Sequence, residues 1–426
     1  MKQKNYLLIN PPRYEVAPEY LSDGFFELIS KAFFLPVALL RIATYLRSKG
    51  DAVALINCCP SKPDSVVPHY RIGQRQCGSF MRDAVVSPLY HFGISFENFR
   101  EKLMFQKRPD EIFITSFFTY QWEAVHQIIK ICKDVFPSAR VTLGGVYPTL
   151  CPDHAKTSLA DFIHVGELPI TNHCRLALDL LEDVPDYIIL KTSRGCPGQC
   201  SYCAVSLLEG ATMRYRSPED VVDEIEEVVN NFNIRKIVFW ESNILLNAQT
   251  HFECLLDLII ERKLNLYLEF PEGFNPVLLT DKLLYKMKWA GVSYLSLSLE
   301  TNNRQMATKR FQSVDKLSSF KRCAASLKSL KVNVMAFVLA GLPGQDSQDV
   351  RSAVVDVLHA GVRPLIMPFT PIPGTREYER CYKLIASKGL EELHPLLWPC
   401  VESRDQYDFL CKLHGQCWDV IKSWRD

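Results

Sequence analysis

The chain has 426 residues, 47% hydrophobic and 23% charged, the composition of an ordinary globular protein with enough length for two or three cores. Its 49 Lys and Arg against 48 Asp and Glu leave a net charge of +1, so bulk electrostatics gives no reason to expect nucleic acid or an anionic membrane as a partner. No apolar run reaches the roughly 18 residues of a spanning helix, and the chain from Met1 runs straight into a strand-like segment instead of a signal peptide, so a cytoplasmic location is expected.

The first expected element is a strand over 5–10, stopped by Pro11-Pro12, where proline ends the ladder. A helix over 34–49 follows, with Leu39, Leu40, Ala43 and Leu46 at helical spacing and Gly50 at its close, and then a strand over 52–57. Residues 59–100 show no clear period and read as an insertion or irregular excursion. Order returns with a strand over 111–116, a helix over 121–135, a strand over 140–143 running into Gly144-Gly145, and a strand over 161–165 before Gly166-Glu167. Alternation of this kind predicts a doubly wound parallel sheet over 1–180, with ligands beyond the carboxyl ends of its strands. Those ends are Pro11-Pro12, Ser116, Gly144-Gly145 and Gly166.

A joining segment over 168–186 leads to a second α/β region over 184–375. Its strands are expected at 187–192, 236–240, 264–270, 292–299, 333–339 and 365–369, with helices at 252–262, 281–290, 313–330 and 347–360 between them. A further helix starts at Ser217-Pro218-Glu219-Asp220, acidic in its first turn, with Val221, Ile225, Val228 and Val229 on its apolar face. Six strand-helix units predict a partial (β/α)6 barrel whose working residues stand at the carboxyl ends of strands. Residues 376–426, with Trp398, Trp418 and Trp424, are expected to form a helical C-terminal cap.

The densest chemical signal is KTSRGCPGQCSYCAV at 191–205, which sets Cys196, Cys200 and Cys203 at C-x3-C-x2-C spacing on a loop forced by Gly195, Pro197 and Gly198. Iron-sulfur clusters are normally held by four thiolates, so a trio would leave one iron of a 4Fe-4S cluster without a protein ligand. A zinc site or three core cysteines are the alternatives; structural zinc needs a fourth ligand, usually from a second Cys/His pair, and no such pair stands elsewhere. Cys58 and Cys59 are adjacent, and Cys400, Cys411 and Cys417 crowd the C-terminus with His414; a second cluster there is the alternative to small buried hydrophobes, which their wide spacing favours.

At these residues, with Tyr202 just before the last cysteine, the chain resembles the radical S-adenosylmethionine (radical SAM) enzymes. The resemblance implies a 4Fe-4S cluster on Cys196, Cys200 and Cys203, with SAM chelated at the open iron and cleaved reductively to a 5'-deoxyadenosyl radical. It also implies SAM contacts from Tyr202, from Glu241 in WESN after strand two, near the place of the family's acidic motif for the SAM amino group, from Ser298 and Glu300 in SLSLET, and from Gly341 and Pro343 in the turn after strand five. Alternation puts Ser296, Ser298 and Glu300 on one face, opposite Leu297 and Leu299. TPIPGT at 370–375 is expected beside the substrate pocket, and Lys309-Arg310 reads equally as a solvated pair or as a contact for a substrate anion.

Upstream, LLINPP, ITSFFTY, TLGGVYPTLCPDHA and DFIHVGE, in that order, resemble the cobalamin-binding domain of one branch of that superfamily. The likeness implies cobalamin contacts from Pro11, Pro12, Ser116, Gly144, Gly145, Tyr147, Thr149, Gly166 and Glu167. The chain lacks D-x-H-x-x-G, which supplies a cobalt-ligating histidine in other cobalamin proteins, and Glu167 is followed by Leu168-Pro169 where relatives have a further Gly-Glu. The function expected from the two resemblances is cobalamin-dependent methyl transfer to an unactivated carbon of a small molecule or peptide, with a flavodoxin or ferredoxin as electron donor. Radical rearrangement or cyclisation, methylthio transfer and non-catalytic corrinoid or iron-sulfur binding are the alternatives.

Overall fold

The computed structural model describes residues 3–21, 35–59, 69–79, 85–311 and 316–423. Phe34 at the start of the first expected helix, residues 313–315 at the start of another, and Trp424 lie outside them. The chain divides into two compact units, one of Met1–Pro185, Ile372–Gly374 and Leu384–Pro399, the other of Asp186–Pro371, Thr375–Lys383 and Cys400–Asp426.

The first unit contains, in order, β1 (Asn5–Asn10), β2 (Arg13–Val16), α1 (Val37–Ser48), β3 (Ala52–Asn57), β4 (His69–Cys77), β5 (Val85–Phe92), α2 (Phe96–Met104), β6 (Glu111–Ile114), α3 (Trp122–Val135), β7 (Arg140–Leu143), α4 (Val146–Leu150), α5 (Pro152–Ala155) and β8 (Phe162–Ile163). Strands β3-β1-β6-β7-β8 form a parallel sheet in that order. Its two faces follow from the period of two in β1: Leu7 and Ile9 pack with Phe99, Val125, Ile128 and Ile129 of α2 and α3, while Leu8 packs with Leu39, Ile42, Ala43 and Leu46 of α1. Helices on both faces make this a doubly wound sheet.

The stretch 59–100, expected to be irregular, instead carries β4, β5 and α2, and β2-β5-β4 form a separate antiparallel sheet. The pattern was hidden because β4 reads HYRIGQRQC, a polar strand held by cross-strand pairing to β5 with no apolar alternation of its own.

The second unit runs β9 (Tyr187–Leu190), β10 (Ser193–Arg194), α6 (Val205–Glu209), β11 (Arg214–Tyr215), α7 (Pro218–Phe232), β12 (Lys236–Phe239), α8 (Phe252–Glu261), β13 (Tyr267–Phe274), α9 (Asp281–Trp289), β14 (Val292–Glu300), α10 (Arg304–Phe311), α11 (Lys316–Ser329), β15 (Asn333–Ala340), α12 (Ser347–His359), β16 (Arg363–Pro368), α13 (Arg376–Ile385) and α14 (Arg404–Ser423). Its six-stranded sheet, β16-β15-β14-β13-β12-β9, is parallel throughout, each strand beside its sequence neighbour. Helix α7 begins as its sequence requires: the Ser217 hydroxyl accepts from the Asp220 amide at 3.1 Å, Pro218 holds the first turn, and Asn233 closes it in the left-handed region.

Candidate functional site

The cysteine loop leaves the carboxyl end of β9 and is bracketed by the short β10–β11 ladder, which pairs Ser193 with Tyr215 and Arg194 with Arg214. Gly195 has φ +88°, and a Cβ there would stand 2.2 Å from the Thr212 carbonyl oxygen, so only glycine fits. The Cys196 amide donates to the Gly210 carbonyl at 3.1 Å. The loop has little regular structure of its own, and three carboxylates hold it.

Glu241, just after β12, is buried and accepts from the Thr192 amide at 2.5 Å, the Ser193 amide at 3.1 Å and the Ser193 hydroxyl at 2.5 Å. Burial pushes its pKa up against these bonds. Glu209 at the end of α6 pairs with Lys191 and accepts from the Gly195 amide at 3.1 Å and the Ser242 hydroxyl at 2.8 Å. Burial would raise it, yet Lys191 and these donors hold it below the usual carboxylate range. Glu377 on α13 is fully buried; its Oε1 accepts from the Ser201 hydroxyl at 2.6 Å and from Arg380, its Oε2 from Arg310 at 3.2 Å, and its amide donates to the Ser201 carbonyl at 2.9 Å. The loop is therefore gripped before, at and after the first cysteine.

Among the cysteines, Cys196 Sγ receives the Gly198 amide at 3.4 Å and the Asn243 side-chain amide at 3.6 Å. Burial pushes the Cys203 thiol up to about 11, and Cys200 is raised by burial and Glu300 while Lys316 opposes. Cys200 and Cys196 both act on Cys203 electrostatically, so the three thiols share one neighbourhood. Among the described residues no three His, Cys, Asp or Glu close together as a ready-made metal group. The donor set suits an iron-sulfur cluster, since all three ligands are thiols and N–H groups aimed at a ligating sulfur are a known means of tuning such clusters.

The remaining expected SAM contacts lie at strand ends. Tyr202 donates to Glu300 at 3.1 Å, which joins the cysteine loop to the end of β14. Glu300 has φ +57°, follows a register shift after Ser298, and pairs with Lys316. The Ser298 hydroxyl donates to the Phe274 carbonyl at 3.2 Å, and that of Ser296 bonds Tyr294 Oη at 2.9 Å. Gly341 turns with φ +82°, and the Pro343 carbonyl accepts from Arg310 at 2.8 Å. Arg310 thereby ties that turn to Glu377 and, through its own carbonyl, to the Ser201 amide at 2.9 Å, a structural use that the sequence left open. Glu241, expected to meet the SAM amino group, has both oxygens occupied by the loop. Glu209 and Glu377 escaped the sequence reading, because their partners are set by the fold.

In the first unit, Ser116 beyond β6 is buried and its hydroxyl has no hydrogen-bond partner. Gly145 has φ +108°, and a Cβ there would stand 2.1 Å from the Ser116 carbonyl oxygen. Thr149 donates to the Gly145 carbonyl at 2.7 Å and accepts from the Gly166 amide at 3.0 Å, joining two strand ends; Gly144 precedes this turn. Pro11 and Pro12 are buried beyond β1, and Glu167 is half-buried. An orphaned buried hydroxyl beside closely approaching backbone fits a bound ligand. Tyr147 does not join this group: it is fully buried, with Oη 2.9 Å from His126 Nε2 and 2.6 Å from His154 Nδ1.

Residues 190–357 match a family model described as the Radical SAM superfamily. An uncharacterized methyltransferase of Pyrococcus horikoshii is 22% identical over 51% of this chain and 47% of its own length. The bacteriochlorophyllide d C-12(1)-methyltransferase of Chlorobaculum tepidum is 20% identical over 56% of this chain and 59% of its own length. The chain spans about half the length of the curated relatives it matches. Among solved structures, the radical S-adenosylmethionine methyltransferase TsrM of Kitasatospora setae, with cobalamin and a 4Fe-4S cluster bound, superposes with a TM-score of 0.64 at 14% identity, covering 89% of this chain and 76% of that one. At that identity the likeness establishes a shared fold.

Proposed function

We propose that this chain, a member of the radical SAM superfamily, is a cobalamin-dependent methyltransferase acting on an unactivated carbon of a small molecule or peptide. The observation that carries the proposal is a loop of three thiols beyond the carboxyl end of a parallel strand, within the stretch that matches the superfamily, clamped by the buried Glu241 and Glu377 and the half-buried Glu209. Cys196, Cys200 and Cys203 would hold the cluster, and Tyr202, Ser298, Glu300 and the Gly341–Gly344 turn would line the SAM site. Ser116, Gly144, Gly145, Thr149, Gly166 and Glu167, with Pro11 and Pro12, would line the corrinoid site.

When bound, the cluster and SAM supply one-electron cleavage to a carbon radical, and the corrinoid supplies a transferable methyl group. The chain's own work is placement. Glu241, Glu209 and Glu377 fix the backbone of the loop that carries the thiols, since a site held within about half an ångström performs where a looser one fails. Tyr202 and Glu300 couple that loop to β14. The burial that raises the thiols also means that cluster assembly must release their protons. The chemistry requires a one-electron donor, such as a flavodoxin or ferredoxin.

The test is anaerobic reconstitution with iron, sulfide and hydroxocobalamin, desalting, optical spectra, and product analysis after reductant and SAM. Cluster absorption, retained corrinoid, 5'-deoxyadenosine and S-adenosylhomocysteine are expected. 5'-Deoxyadenosine without retained corrinoid would replace methyl transfer with a cobalamin-independent radical reaction, and absence of a cluster would overturn the assignment.

A further inference from the structure

Of the acidic side chains around the cysteine loop, Glu241, Glu209 and Glu377 clamp it and Glu300 accepts from Tyr202. Glu272 makes no such bond. It sits near the carboxyl end of β13 at a bulge: Phe270 pairs with Leu295 and Gly273 with the next residue, Ser296, so Pro271 and Glu272 are two residues with no counterpart on β14. Bulges at strand ends re-aim side chains and recur beside active sites, and proline is tolerated there because no ladder donor is needed.

The bulge is pinned. A Cβ on Gly273 would stand 2.8 Å from the Phe337 ring and 2.9 Å from Ser298 Cβ, and the Phe274 carbonyl accepts from Ser298 at 3.2 Å. The chain therefore presents Glu272 at a fixed place. Its electrostatic neighbours are Lys191 and Glu209, and it acts in turn on Cys203 and Tyr294, which puts it between the cysteine loop and the polar face of β14.

Among the described residues Glu272 makes no hydrogen bond or ion pair, although it is enclosed by protein and keeps only part of its surface open. Burial pushes its carboxyl up to about 7; Lys191 lowers it and Glu209 raises it. The Lys191 ammonium is already bound to Glu209 and to the Ser242 hydroxyl at 3.1 Å. A carboxylate that the protein largely encloses but meets with no donor of its own leaves its oxygens open to a donor from a ligand. Thiolates on Cys196, Cys200 and Cys203 would deepen the negative field, so the missing partner is a cation.

We propose that Glu272 receives the α-ammonium group of S-adenosylmethionine, while Glu241 is spent on its bonds to Thr192 and Ser193. The inference rests on the radical SAM reading of the site. A carboxylate on the strand-three bulge thus replaces one on strand two as the amino-group acceptor.

The test uses anaerobically reconstituted wild type, Glu272→Gln and Glu272→Asp. Each is titrated without reductant, by equilibrium dialysis, with SAM and with the SAM analogue lacking the α-amino group, while iron content and optical spectrum report the cluster. Wild type should prefer SAM to the analogue by about 10- to 100-fold, the range of a charge-assisted hydrogen bond. Glu272→Gln should weaken SAM by that factor and leave the analogue unchanged, and Glu272→Asp should recover part of the preference. Equal binding of SAM by wild type and Glu272→Gln, or equal weakening of both ligands, overturns the proposal. Loss of the cluster in Glu272→Gln would place this residue with the loop clamps and overturn it as well. Wild type that holds a cluster and binds neither ligand would overturn the radical SAM reading itself.

Discussion

Replacing Glu377 by alanine separates the energetic from the merely geometric contacts of the cysteine loop. Its carboxylate is fully buried and receives the Ser201 hydroxyl and the Arg310 guanidinium, both of which stay enclosed after the substitution. Hydrogen bonds to a charged group are worth about 1.5–3 kcal/mol each, and stranding a buried partner costs about as much as the bond itself. Two such bonds give an expected loss of about 3–6 kcal/mol, overlapping the roughly 3–5 kcal/mol of a broken buried ion pair. The third partner, Arg380, has a side chain 45% exposed, so its share falls within the roughly 0–1 kcal/mol of surface pairs. Urea unfolding of anaerobically purified protein should therefore show Glu377→Ala with a midpoint far below wild type and Arg380→Ala close to it. Iron retained per chain should fall in the first variant alone, because Ser201 lies between Cys200 and Cys203. A Glu377→Ala protein that keeps wild-type midpoint and iron content would refute the claim that this carboxylate holds the loop.

Gly145→Ala should destabilise the protein by about 3 kcal/mol, since φ +108° is a conformation other residues rarely adopt and the new methyl meets the Ser116 carbonyl; a denaturation midpoint equal to wild type would contradict this. The buried imidazole of His414 is held down to about 4 by burial, below its ordinary 6.5, so the unfolded chain binds the extra proton between those values. Its contribution to stability is complete above pH 6.5 and is lost as pH falls toward 4, at roughly 1.4 kcal/mol per pH unit. The stability difference between wild type and His414→Gln should shrink across that window in denaturant titrations, and a difference independent of pH would rule the buried neutral imidazole out.

The parallel sheets were legible because their strands are short apolar runs alternating with amphipathic helices, as in VVDEIEEVV of α7 or VHQIIKIC of α3, where period and caps agree. The cysteine trio was legible because its ligands are close in sequence. The β2-β5-β4 sheet was not, since its order comes from pairing partners as distant as Arg13 and Phe92, and its strands carry little apolar pattern. The clamps were not legible for the same reason: Ser201 and Glu377 are 176 residues apart, and a glutamate on an acidic, exposed-looking helix carries no local sign of being fully buried. Tyr147 shows the opposite failure, a residue placed at a strand-end turn by its motif whose side chain turns inward to His126 and His154.

Glu241 accepts three donors, two of them backbone amides, so glutamine cannot imitate it: one oxygen becomes an NH2 group facing N–H or O–H donors of the loop. The mismatch leaves at least one buried donor without an acceptor, at about 1–3 kcal/mol, and the strain falls on the residues that lead into Cys196. Glu241→Gln is therefore expected to lower iron retained per chain, while the fraction that keeps its cluster still prefers SAM over the analogue lacking the amino group. Glu272→Gln should show the converse, full iron with the preference lost. Were Glu241→Gln to keep its iron and lose the preference, Glu241 would be the amino-group acceptor after all, and its bonds to Thr192 and Ser193 would have to give way when SAM binds.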